Sequence, residues 1–339
     1  LLLSSIIAPT FALAIGTAQI GDAPDRLVTP QGVELVSDGR VFVLYAALNG
    51  LGFSEETERK GPPLAAPIFN AIRAEVREGM RKVDEDGKLA DLKKFLDANP
   101  AALEDYLAAV LAHDLALSKA GPDLGGDGKR LAGVGPLLEK LGSEPELVAL
   151  FDKSADAQRK LSKDLGERLG KTFDAAQKHL GLDALRGDLQ LVVLPNPLDA
   201  QGAVRRFRVG GTQYLVVGAA LETATEAVLE ANLRTFLAPL VTKAWAQAPK
   251  LQKAWGDVKR SKAIQARFAD GDAYVTEHLA DALTFQVVAG AQAQSREEDY
   301  IDGAQKGGLR WARVFLGALE GRSGPIDQSI PKILARANP

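Results

Sequence analysis

The chain of 339 residues contains no cysteine, one methionine, three histidines and only 6% aromatic residues. Without cysteine there are no disulfides, no thiolate metal site and no thiol nucleophile. The three histidines, His113, His179 and His278, are far apart, so a histidine-rich metal centre is hard to build. The formal net charge of −3 carries no concentrated basic excess, which argues against nucleic acid as a partner. The composition is otherwise globular, 46% hydrophobic and 25% charged, with ample material for a core.

The longest apolar run is LLLSSIIAPTFALAIGTAQ at the start, broken by Pro9 and Gly16 and too short for a good membrane span. Ala12-Leu13-Ala14 and Gly16-Thr17-Ala18 each fit the small-x-small rule of signal cleavage. Residues 1–18 therefore read as a signal peptide. That predicts an exported protein, periplasmic or extracellular, with no stable membrane span after processing.

Residues 19–187 read as a mainly helical N-terminal region. A strand runs into a helix near Val41–Leu51, and Val76, Met80 and Val83 continue a one-sided stripe in the next helix. Asn99-Pro100 is expected to open another helix, and Ser143-Glu144-Pro145-Glu146 has the form of a capping box. Gly128-Lys129 lacks the upstream glycine and strand of a phosphate loop.

Residues 188–339 change character. DLQLVVLP is an apolar strand, and AVRRFRV and TQYLVVGA form a hairpin through Gly210-Gly211. From Glu222 onward the chain is helical, with breaks near Pro249, Gly271, Gly290–Ser295 and Gly321–Pro325. The expected fold class is α+β, mostly helical, with one small central antiparallel sheet.

The helix after the hairpin carries Glu222, Glu226, Glu230 and Arg234 one turn apart, and two readings are open. Such a ladder forms a solvated helix face whose last pair adds a few tenths of a kcal/mol. It is also where a zinc hydrolase carries two histidines and a general base, with a third ligand from a later helix. His278, beside Glu277, is a further possible site residue, but neighbours on a helix point about 100° apart, which favours a structural or surface histidine.

Five segments in order, VELVSDGRVFVLYAALNGLG, LQLVVLPNPL, GGTQYLVVGA, LEANLRTFLAPLV and YVTEHLADAL, resemble a bacterial family of uncharacterised gluzincin-like metallopeptidase domains. The resemblance implies a zincin-like fold. It sets Glu230 and Ala231 where active members carry the first ligand histidine and the general-base glutamate. It sets Arg234 at the second histidine and Glu277 at the glutamate ligand. Zinc is the cofactor of active relatives and is not expected here, because an arginine stays protonated and repels a cation.

The resemblance thus implies a pseudoenzyme in which Arg234, Glu230 and Glu277 form an ionic cluster at the old metal position. The strand of Thr212, Gln213, Tyr214, Leu215, Val216 and Val217 would then line a cleft for an extended peptide or protein partner. The alternative is an active metal-dependent hydrolase whose carboxylate-rich site is built from Glu226, Glu230 and Glu277.

Overall fold

The computed structural model describes residues 20, 25–52, 67–84, 87–121, 128–185 and 190–339. The predicted signal segment lies outside the described residues.

Five strands form one sheet: β1 (Asp25–Val28), β2 (Glu34–Ser37), β3 (Gln190–Pro195), β4 (Val204–Val209) and β5 (Thr212–Val217). Their order is β1-β2-β3-β5-β4. The inner three run parallel, while β1 and β4 are antiparallel edges. The expectation of an antiparallel sheet is therefore corrected to a mixed one. Only the β4–β5 hairpin and the β1–β2 pair are antiparallel. The reason is connectivity: β2 meets β3 through a long helical crossover, which delivers a parallel partner. The strands thus join residues either side of 188, with Glu34 opposite Val192 and Leu35 opposite Val193.

Period-two alternation divides the sheet between two cores. Leu35, Leu191, Val193, Leu215 and Val217 point to one side, and Val36, Val192, Leu194 and Val216 to the other. The second side is covered by α1 (Gly39–Gly50), α2 (Pro67–Val83), α3 (Lys88–Ala98), α4 (Leu103–Leu111), α5 (Gly128–Leu131) and α6 (Val134–Gly142). Asp38 caps α1 by accepting from the Arg40 amide at 2.9 Å. Val76, Met80 and Val83 of α2 are buried there, as their spacing predicts. Asn99 terminates α3 instead of opening α4, whose N-cap is Ala102.

The long helix α7 (Pro145–Leu180) begins at the predicted proline and ends at Gly181, whose φ of 69° suits a glycine cap. Its Leu165, Leu169 and Phe173 enter the first core. The predicted capping box does not form, because the Ser143 hydroxyl donates to the Lys140 carbonyl instead.

Over the first face lie α8 (Leu221–Trp245), α9 (Pro249–Val258), α10 (Lys262–Arg267) and α11 (Gly271–Ala289). A 3₁₀ turn at Gly290–Gln292 leads to α12 (Ala293–Lys306), α13 (Ala312–Glu320) and α14 (Ile326–Arg336). Gly218 lets β5 turn into α8: a Cβ there would lie 2.1 Å from the Ala200 carbonyl oxygen. That turn sets the register of everything α8 presents. Among the described residues, no helix is long and apolar enough to cross a membrane.

Candidate functional site

Helix α8 presents its ladder along the flank facing α11 and α12. Glu222 and Glu226 are both exposed, with Glu222 3.6 Å from Arg168. Glu230 and Arg234 lie deeper, with side chains 17% and 23% exposed. The Arg234 guanidinium donates to Glu230 at 2.6 Å along the helix. Its Nε side meets the Glu277 carboxylate of α11. Arg234 therefore sits between the two glutamates and ties α8 to α11.

Two further arginines extend this arrangement. Arg206 of β4 contacts Glu230 at 2.8 Å, and Arg267 of α10 contacts Glu277 at 2.7 Å. The result alternates in sign: Arg206, Glu230, Arg234, Glu277, Arg267. Both carboxylates are engaged from two sides, so neither is left as an unpaired buried charge. Arg267 also donates to the Gly307 carbonyl at 2.7 Å, which fixes the end of α12.

The other expected site residues go elsewhere. Ala231 is completely buried, packed among the first-face apolar residues. His278 is withdrawn from any site: its Nδ1 faces the Tyr274 carbonyl at 2.8 Å, and its Nε2 accepts from the Trp311 amide at 3.0 Å. These bonds require the neutral Nδ1–H tautomer, and burial lowers the ring's pKa to about 4. The possible site role of His278 is thus corrected to a structural one, joining α11 to α13.

The expected cleft strand is also corrected. Thr212–Val217 is hydrogen-bonded to β3 on one side and β4 on the other along its whole length. It has no edge to offer a peptide. The outer strand on that side is β4, whose backbone pairs with β5 alone among the described residues. Its alternation sends Arg206 toward α8 and Arg205 to the opposite face, where Arg205 grips Asp199 at 2.7 and 2.8 Å. Tyr45 donates to the same carboxylate at 2.7 Å.

Beside the ionic chain is a cavity of about 300 Å³, lined in part by Glu226, Asp281, Phe285, Arg296, Asp299 and Tyr300. The Tyr300 hydroxyl donates to Asp281 at 2.6 Å, and its ring stacks on Phe285 with centroids 4.2 Å apart. Burial, with Glu230 and Glu277 nearby, raises the Asp281 pKa to about 6 despite that hydrogen bond and Arg234. Partial desolvation likewise raises the Glu226 carboxyl above its ordinary range, with Arg296 opposing.

Asp281 lies one turn beyond Glu277 on α11, so helical spacing from the glutamate would have found it. Nothing in the sequence signals Arg267, which reaches the site only because α10 folds back. Among the described residues, no three His, Cys, Asp or Glu side chains are grouped to hold a metal ion. Compared with protein-family models, curated proteins and solved structures, the chain matches none of them.

Proposed function

We propose that this chain is an exported, zincin-like protein that has lost metal and catalysis and keeps a groove for an extended peptide or protein partner. The observation that carries the reading is the Arg234 guanidinium held between Glu230 and Glu277. A permanently charged group stands where the resemblance puts a metal ligand, and it supplies the positive charge that a cation would bring. The order of parts also supports it: a hairpin feeds the helix with the first two positions, and a later helix brings Glu277 to the same point. Ala231 offers no general base.

No observation favours the alternative of a working carboxylate site. Glu230 and Glu277 are each held by two guanidinium groups, and Glu226 belongs to the neighbouring cavity.

The test is zinc content of the folded protein by atomic absorption, with Glu230→His/Arg234→His as a positive arm. The wild type is expected to retain no stoichiometric zinc and to leave denatured protein substrates uncut. The double variant, with circular dichroism showing a native fold, is expected to bind one zinc and to lose it on Glu277→Gln. Stoichiometric zinc in the wild type that requires Glu277 would overturn the proposal.

A further inference from the structure

Strand β1 is the sheet edge opposite β4, away from the ionic chain, and its backbone pairs with β2 alone among the described residues. All four of its side chains are exposed. Leu27 and Val28, 41% and 56% exposed, are two of the four large apolar side chains so uncovered among the described residues. The Thr29 N–H donates to the Val33 carbonyl at 2.9 Å, in step with the β1–β2 register. Hydrogen-bonded pairs alternate along an antiparallel ladder, so the next ones are Leu27 with Leu35 and Asp25 with Ser37. The N–H and C=O groups of Arg26 and Val28 therefore point outward.

Helix α7 runs beside this edge in the same direction as the strand. Arg159 is 3.5 Å from Asp25 near one end, and Asp174 accepts from Gln31 at 2.8 Å near the other. Between them Gly166 lies on Leu27: a Cβ there would be 3.0 Å from a Leu27 methyl. At about 100° per residue, Arg159, Lys163, Glu167 and Asp174 share the flank that looks out past β1. All four are exposed. Lys160, bridged to Asp164 at 2.6 Å, is turned further from the sheet. The flank is basic before Gly166 and acidic after it, so its charge reverses sign at the level of Leu27.

A two-fold axis where Leu27 meets its own copy satisfies both patterns. We propose that β1 pairs antiparallel with β1 of a second copy of this chain, joining two five-stranded sheets into one. Arg26 then exchanges both backbone bonds with Val28 of the second copy, and Leu27 packs on its counterpart. Because α7 lies over β1 and β2, the two α7 axes come about 10 Å apart, a distance at which helices pack. Lys163 faces Glu167 of the second copy, and Arg159 faces its Asp174. An unrelated extended peptide would bond to the open strand but leave the reversed charge of α7 unmatched. The charges set orientation and exclude other registers, while the backbone bonds and Leu27 supply attraction. Nothing in this interface depends on the ionic chain or on the pseudoenzyme reading.

Sedimentation velocity of the full chain tests it. The wild type is expected to show a reversible dimer with a dissociation constant on the order of 10 µM. Val28→Pro removes an outward N–H, leaves the bonds to β2, and is expected to be monomeric with a native circular dichroism spectrum. Lys163→Glu and Glu167→Lys alter exposed side chains, and each is expected to weaken the dimer by about tenfold. The double swap restores opposite charges across the axis and is expected to return association to within about threefold of wild type. A wild type still monomeric at about 1 mM overturns the proposal and leaves the edge to a different strand. A dimer that ignores the single swaps, or that the double swap does not rescue, also overturns it, because association then uses another surface.

Discussion

Asp281 holds its carboxyl at the floor of the groove with one hydrogen bond, from Tyr300, and no ion pair among the described residues. The charged groups facing it are Glu230 and Arg234 from α8, Glu277 from its own helix, and Asp299 from α12. Its pKa of about 6 lies above the ordinary value of 3.8, so the folded state favours the proton. The associated stability is present below pH 3.8 and lost as pH rises through 6. At neutral pH the ionised group is a burden on the order of 1–2 kcal/mol, allowing for solvent screening. Asp281→Asn is therefore expected to stabilise the protein by that amount at pH 7.5 and to give little advantage below pH 4. Urea denaturation at the two pH values checks this, and an equal effect at both would rule out ionisation as the cause. A residue that stabilises when neutralised, yet lines a cavity, is typical of a site kept for binding.

At the scale of elements, the ionic chain is what joins the sheet edge, α8, α10 and α11. Removing Arg234 leaves Glu230 with Arg206 and Glu277 with Arg267, so no carboxylate is orphaned. Removing Glu277 strips a partner from both Arg234 and Arg267. Arg234→Met is thus expected to cost about 1 kcal/mol, and Glu277→Leu about 2–4 kcal/mol. The double variant should be non-additive by at least about 0.5 kcal/mol, measured by chemical denaturation. Independent, equal effects would mean that the chain carries no coupling.

The part of this network along α8 was legible, because four-residue spacing puts Glu226, Glu230 and Arg234 on one flank. Arg206 reads from sequence as an edge charge, since nothing local tells which helix crosses that face. Strand β1 has no readable pattern, as all four residues, including Leu27 and Val28, are exposed.

The whole molecule is a sheet between two helical layers, and the layer over the ionic chain depends on buried polar joints as well as apolar contact. His278 is one such joint, in a cluster with Tyr274, Trp311 and Phe315. Its pKa is lowered from 6.5 to about 4 by burial, so its contribution is present above pH 6.5 and lost as pH falls toward 4. This change is opposite in sign to that of Asp281. Protonation would turn Nε2 into a donor facing the Trp311 amide. Global stability is expected to fall by about 3 kcal/mol across that window on account of this residue. His278→Asn should be less stable at pH 7 but lose less between pH 6.5 and 4. Parallel stability curves for the two proteins would assign the acid sensitivity elsewhere.

Sequence alone determined the helices, the hairpin at Gly210-Gly211 and the withdrawal of cysteine and histidine chemistry, because spacing, turn residues and composition act locally. It also placed the helix flank that bears Glu230 and Arg234. Tertiary structure decided that the sheet is mixed, that Thr212–Val217 lies inside it, and that His278 is closed off in the core. It also brought Arg206, Arg267 and Asp281 to the same groove. Those outcomes depend on which strand fills the gap beside β3 and where α10 and α11 cross α8, and such long-range pairings leave no periodic trace in the chain.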